Sequence, residues 1–348
     1  MIFPLLRGLL WFHRAPVTWL MVALNVAIFS WTYPAYKIAD QAMEEVLDDS
    51  EFMSTTGLLL SLEISGKSEL RTPAANLGVG PTVEPKGLRE LAERSLRGDE
   101  DSRVLLGHIA LRRSGFIEET FAKFQEQPEF AAGVGDAVAV EKWQEGVERL
   151  FEVQGVHPSY RLGLSSGRSE PWRWLTYQIA HSGFLHLFWN MIFLLIFGTF
   201  VEHSRGSLAS FLTVWLGGLG GALVFTLASG LSASPLVGAS AAVSALIAVA
   251  ASNMRRRLPF VYWLLPIQGY YGVAWLPAWV LIPAFVLPDL SGWLSSQPGF
   301  SGVAYTAHLG GAFIGFALSR VFKERPQAFT ELAQSVTGTA ASSTRLAA

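Results

Sequence analysis

The sequence predicts an all-α membrane protein, a six-helix transmembrane bundle with a large, mostly helical extramembrane insertion between its first and second spans. Three observations predict it. Half of the 348 residues are apolar and only 16% are charged, with a positive mean hydropathy, which lies outside the range of an ordinary soluble domain. Charge is segregated, since 24 of the 28 Asp and Glu lie between residues 34 and 170; the near-zero net charge therefore averages over two different solvents. Apolar runs of spanning length, about 20 residues at 1.5 Å rise, occupy the chain after residue 170 and one stretch near its start.

The elements follow in order. Residues 1–15 form a cytoplasmic N-terminal segment carrying Arg7 and Arg14, and residues 16–33 the first span. No small-residue cleavage motif follows Ser30 cleanly, so this run reads as a retained span rather than a signal peptide. Residues 34–170 form the acidic insertion, with amphipathic stretches at Leu88 to Leu106, Phe116 to Phe130 and Val138 to Val153 and turn-rich segments at Pro73 to Gly87 and Gly133 to Gly135. Residues 171–322 hold five further spans, at Trp174 to Phe200, Leu208 to Ser229, Leu236 to Ser252, Gly272 to Leu290 and Gly302 to Phe322. The run Pro259 to Tyr271 is apolar too, but its aromatic pairs, Pro266 and Gly269 suit an interfacial loop. Residues 323–348, rich in Ser, Thr and Ala, read as a disordered cytoplasmic tail.

Basic residues collect in short cytoplasmic loops. With six alternating spans, Arg7 and Arg14, Arg205, Arg255 to Arg257, and Arg320, Lys323 and Arg325 all fall on one side. Both termini are therefore expected in the cytoplasm and the insertion outside, as in a multi-pass protein of a bacterial plasma (inner) membrane. The absence of cysteine excludes disulfides, thiolate zinc sites and a cysteine nucleophile.

Ionisable and strongly hydrogen-bonding side chains inside a span cost about 2.5 to 3.5 kcal/mol for a charge at a helix centre, so each one asks for a reason. They are His181, His186 and Asn190 in the second span, Ser240 and Ser244 in the fourth, and His308 in the sixth. Spans two, four and six enter from the outer side, and Ser240 and His308 each lie about five residues from the start of their span. His186 and Asn190, at i and i+4, share a face slightly deeper. Three helices thus present polar groups at one height. Small residues allow the helices to approach: Ala304, Ala307, Gly311 and Gly315 in the sixth span, and Gly238, Ala241, Ala242, Ala245, Ala248 and Ala251 in the fourth.

Blander readings exist for each residue. A single serine in a span commonly bonds back to its own helix, as suits Ser244, and an isolated histidine can be a packing residue. A metal site is a rival for His181, His186 and His308, but zinc favours histidines at i, i+4, and His181 and His186 are about 140° apart around a helix with no acidic residue near them. A transporter or channel would need polar residues along a continuous path, and the inner halves of the spans are almost wholly apolar. His13, His108, His157 and His203 read as surface residues.

The same residues carry a resemblance to the rhomboid family. Trp172-Arg173 resembles the family's Trp-Arg motif before the second span; His181, His186 and Asn190 match H-x4-H-x3-N; Glu202 and Gly206 match E-x3-G. Gly238-Ala239-Ser240 resembles the G-x-S nucleophile motif, and Ala307-His308 with Gly311 and Gly315 resembles A-H-x2-G-x3-G. The similarity covers residues 15–33 and 171–322. It implies a serine endopeptidase in which Ser240 attacks the scissile carbonyl, His308 takes and returns the proton, and no third acidic member supports the histidine. His186, Asn190 and the backbone amide of Ser240 would bind the oxyanion. His181 would order the water-accessible cavity, and Gly238, Trp172, Arg173, Glu202, Gly311 and Gly315 would support the site. The fifth span and the loop Ser291 to Ser301 would gate it.

The chain departs from the pattern at Ala241, where Gly is frequent, at Ser244, where many members carry a Tyr that stacks on the catalytic His, and in its long insertion. The implied substrates are single-span membrane proteins cut in or next to their transmembrane segment, within the lipid bilayer, without cofactor, metal or nucleic acid. A catalytically silent rhomboid-fold protein that binds membrane helices is the alternative. The insertion would shield the active-site mouth or recruit a partner or substrate, or be an ordinary solvated domain.

Overall fold

A computed structural model describes residues 2–4, 14–66, 86–113, 115–127, 137–165, 170–228, 234–252, 257–263, 271–295 and 304–325. The turn-rich segments within 67–85 and 128–136, the greater part of the expected gating loop (296–303) and the tail beyond 325 lie outside the described residues.

Helix α1 (Pro16–Leu47) opens on a proline at its first position, where the missing N–H costs nothing. Its next two amides are taken by one carboxylate. Glu202 accepts from the Val17 and Thr18 N–H groups at 3.0 and 2.8 Å and from the Thr18 hydroxyl at 2.8 Å, placing negative charge on the positive end of the helix dipole. The helix does not stop near residue 33, where the apolar run ends. It continues 14 residues further, through Pro34, because the polar sequence after the run still favours helix and leads straight into the insertion.

The insertion is a helical domain of α2 (Ser50–Ile64), α3 (Lys86–Leu96), α4 (Glu100–Arg112), α5 (Phe116–Glu126), α6 (Ala137–Val156) and α7 (Pro158–Leu162). The expected stretch 88–106 is two helices, divided at Gly98, which adopts a left-handed φ of 96° that a side chain would resist. Helix α2 lacks clear amphipathic periodicity and is not apparent in the sequence; tertiary packing makes it the core of the domain. A β-carbon on Gly57 would overlap the Arg103 carbonyl, and one on Gly107 would overlap the Met53 carbonyl, so α2 and α4 lie backbone to backbone. Phe52, Met53, Leu60, Leu106, Trp143 and Val147 fill the surrounding core. The buried Trp143 indole donates to the Thr56 hydroxyl at 2.9 Å, as a buried ring N–H requires.

The second expected span starts later than its composition suggests. Helix α8 (Arg173–Thr176) and a single 3-10 turn (Tyr177–Ile179) precede a break over residues 180–183, and α9 (Phe184–Phe193) runs through a π segment (Leu194–Gly198) into α10 (Thr199–Arg205). His181 is thus in the entry loop rather than inside the helix. Helix α11 (Ser207–Ala228) agrees with the expected third span, whereas α12 (Ser240–Ala251) begins four residues after Leu236, at Ser240 itself.

The described residues are mostly helical, in keeping with the all-α expectation, and one small sheet is added to them. Strand β1 (Ile2–Pro4) pairs antiparallel with β2 (Arg257–Trp263), which pairs with β3 (Tyr271–Pro277) in register Val261↔Val273. The expected fifth span therefore loses its first third to β3, and the expected interfacial loop contains β2. Short runs rich in Val, Tyr and Trp suit a strand as well as a buried helix. The fifth helix is α13 (Leu281–Ser295), which contains Pro288, and α14 (Tyr305–Val321) is the last. Three helical stretches among the described residues are long and apolar enough to cross a membrane, Pro16–Leu47, Phe184–Arg205 and Ser207–Ala228; Ser240–Ala251 and Ala278–Leu294 are shorter apolar helices.

Candidate active site

The fold has two ends of different chemistry. At one, Glu202 holds the start of α1, the buried Arg205 guanidinium donates to the Ser319 and Phe322 carbonyls and the Ser252 hydroxyl, and the Arg325 amide bonds to Ser204 O at 2.8 Å. At the other, the far part of α1 and the end of the insertion meet the segments leading into α9 and α12. Arg173, 5% exposed, is the knot there. It pairs with Glu170, donates to the Tyr160 and Gly163 carbonyls at 2.6 and 2.9 Å, and lies 4.4 Å over the Trp172 ring. Leu164 and Leu236 exchange both backbone hydrogen bonds, at 3.1 and 2.6 Å. That bridge fixes the loop leading to Ser240.

Gly238 explains the approach to the helix. Its φ is 108°, its N–H donates to the carbonyl of the fully buried Tyr177 at 2.8 Å, and a β-carbon would fall 2.7 Å from two atoms of the His186 ring and 3.6 Å from Asn190 Nδ2. Neither the backbone conformation nor the space tolerates a side chain. Two residues on, Ser240 opens α12, in the first turn, where backbone N–H groups lack helical acceptors.

His186 and Asn190 share a face of α9, as their spacing predicts. The His186 Nδ1 lies 2.9 Å from the Ser182 hydroxyl, and its ring packs edge-on against His181 with centroids 5.2 Å apart. His181 is 5% exposed and Asn190 6%. The Asn190 amide also donates to His186 O at 2.9 Å.

Ser240 and His308 meet across α12 and α14. His308 Nε2 is 2.9 Å from Ser240 Oγ, within the reach needed for proton transfer. Glycines make this possible. A β-carbon on Gly311 would overlap the Ala241 carbonyl, and one on Gly315 would overlap that of Ala245. Gly221 of α11 abuts both Ala241 Cβ and Ala307 O, so three helices close on one another around the pair. The methyl of Ala241 is 1% exposed and accommodated in that seam.

The other ring nitrogen overturns one expectation. His308 Nδ1 lies 2.9 Å from Asp289 Oδ1 of α13, so an acidic third residue does face the histidine. Asp289 is the sole acidic residue between 203 and 323, a signal the sequence offered at the end of an apolar run. Among the other histidines, His157 is 5% exposed rather than a surface group. It caps α7 by accepting from the Ser159 N–H at 3.1 Å and packs edge-on against Tyr36 and Tyr160, while His108 is exposed as expected.

Comparison with known families agrees with the motifs. The family model of the rhomboid domain matches residues 168–325, the segment that runs from just before Trp172 to the end of α14. Among curated proteins, none matches the chain. The match spans every residue of the cluster around Ser240 and His308, and together with the apolar helices it makes this a multi-pass membrane protein whose residues 168–325 are similar to the rhomboid domain.

Proposed function

We propose that the protein is an intramembrane serine endopeptidase that hydrolyses a peptide bond in or beside the transmembrane segment of single-span membrane proteins. The observation that carries the reading is the 2.9 Å approach of His308 Nε2 to Ser240 Oγ. Ser240 Oγ adds to the scissile carbonyl as its proton passes to Nε2; collapse of the tetrahedral adduct expels the amine, which takes that proton; water then repeats the sequence on the acyl-enzyme. The developing oxyanion is met by the Ser240 amide at the positive end of α12, by Asn190 Nδ2 and by His186 Nε2. The Ser182 N–H faces His186 Nδ1 at 3.5 Å beside its hydroxyl, which favours the tautomer with the proton on Nε2, able to donate.

Six spans, with both termini cytoplasmic and the insertion outside, complete the proposal. The arrangement of the two ends supports it, since Arg205 and Arg325 gather with the foot of α1 while Ser240 and His308 lie at the insertion's end. The site then sits in the outer half of the bilayer, and basic residues fall on the inner side.

The test is incubation of the detergent-solubilised chain with a tagged one-span substrate, alongside Ser240→Ala and His308→Ala. Cleavage by the wild type alone is expected, together with fluorophosphonate labelling that Ser240→Ala abolishes. A folded wild type that neither cleaves nor labels makes the chain a silent rhomboid-fold binder of membrane helices and sinks the proposal.

A further inference from the structure

Asp289 stands in a pattern rather than alone. Along α13, Phe285, Asp289 and Gly292 follow one another at i, i+4 and i+7 and so share a face. Phe285 packs edge-on against Phe193 and Phe197, with centroids 5.6 and 6.0 Å away. Gly292 lies so close to Tyr305 that a β-carbon would overlap the phenol ring. Asp289 lies between these two anchors and reaches His308, three residues beyond Tyr305, at 2.9 Å. The spacing of three on each helix makes the two contacts successive rungs of one ladder. Both side chains are largely withdrawn from water, at 18% and 19% exposure.

From this geometry we propose that Asp289 is the positioning carboxylate for His308, so that the chain works through a Ser240–His308–Asp289 triad. The inference rests on the serine-protease reading above. An ionised Asp289 can only accept, so Nδ1 must carry the imidazole proton and Nε2 must present its lone pair to Ser240. The same contact holds the ring plane and opposes the positive charge that forms when His308 takes the serine proton. An orienting group is needed here, because Ser244 stands where a stacking aromatic would otherwise fix the ring. Because the carboxylate rides on α13, the base is set only while α13 lies against α14.

The experiment compares wild type, Asp289→Asn, Asp289→Glu and Ser240→Ala as full chains in detergent, measuring kcat and KM on a tagged one-span substrate and the rate of fluorophosphonate labelling. An amide can donate to Nδ1 and so favour the tautomer whose Nε2 points its own proton at Ser240. Asp289→Asn is expected to lower kcat by up to about 10,000-fold, slowing labelling in parallel, with KM and Tm close to wild type. Asp289→Glu is expected to recover a substantial part of the loss. A merely structural aspartate would show the opposite split, with Tm lowered and kcat of the folded fraction retained. If Asp289→Asn does not fold, Gly292→Val asks the same question by forcing α13 off Tyr305 with the carboxylate intact, and undiminished kcat there overturns the inference. An active wild type with a dead Ser240→Ala and an unimpaired Asp289→Asn overturns this inference alone; a folded wild type that is inert in both assays overturns the protease reading and this inference with it.

Discussion

Gly311 lies against the backbone of Ala241 so closely that its missing side chain is what lets α14 meet α12. Ser240 and His308 sit one residue before and three residues before these two positions. The distance between hydroxyl and imidazole is therefore set by a helix crossing rather than by the two side chains themselves. In lipid, where apolar surface gains little from helix association, close backbone packing is the main adhesive.

Gly311→Val is accordingly expected to abolish cleavage and fluorophosphonate labelling while leaving both Ser240 and His308 in the chain. Overpacking of this kind destabilises by about 1 to 3 kcal/mol, which a lowered Tm in detergent would register. Gly311→Ala is the milder probe and should retain part of the rate. Equal activity in all three forms would mean that the seam opens without consequence.

His186→Ala and Asn190→Ala should each lower kcat by about 100-fold with little change in KM, the size of effect seen when one oxyanion donor is removed. The double variant should lose less than the product, because the two side chains converge on one small region beside Gly238. A rise in KM at constant kcat would assign them to substrate binding instead.

Glu202 has a different kind of task. Its two oxygens serve Val17, Thr18 and the Ser207 hydroxyl, the last at 2.7 Å, and the side chain is 3% exposed. Glu202→Ala leaves two helix-start amides and two hydroxyls without their acceptor, a loss of about 2 kcal/mol or more. A clear fall in Tm is expected, with kcat of the surviving folded protein near wild type. Glu202→Gln should fall between, since an amide accepts through one oxygen only.

The insertion carries its own titratable reporter. Burial holds the His157 imidazole below its ordinary pKa of 6.5, against a smaller opposing effect from Asp40. The folded chain thus binds fewer protons there than the unfolded one. Its contribution is complete above about pH 6.5 and is lost as the pH falls through that value towards the lowered folded-state pKa. The wild-type Tm should drop between pH 7 and pH 5, and His157→Asn, which can still cap α7, should flatten that drop. Superimposable pH curves for the two proteins would locate the acid sensitivity elsewhere.

Much of this was legible in the sequence because membrane and motif impose strong constraints. Helix α11 matched its apolar run within a residue at either end, since a lipid-crossing segment must be both apolar and helical. The grouping of His186, Asn190, Ser240 and His308 followed from spacing and depth. What escaped lay where composition is neutral between alternatives. The runs at 257–263 and 271–277 were apolar enough for a loop or span yet pair as strands. Helix α2 shows little amphipathicity, and only its glycine-to-glycine packing with α4 explains it. Asp289 stands at the end of an apolar run, and no local pattern announces that a carboxylate 19 residues from His308 will fold against it.

The 32 residues of α1 reach about 48 Å at 1.5 Å each, well beyond the roughly 30 Å of hydrocarbon they need to cross. The surplus makes the helix a mast on which the inserted domain is stepped, with Glu202 at the heel and the Tyr36 hydroxyl bonded to Ser182 O part of the way up. Pro34, at deck level, is the one place where the spar lacks a backbone hydrogen bond and can bend. The Tyr36 contact lies beyond that bend, so the far half of the spar is lashed to the short loop whose Ser182 hydroxyl meets His186.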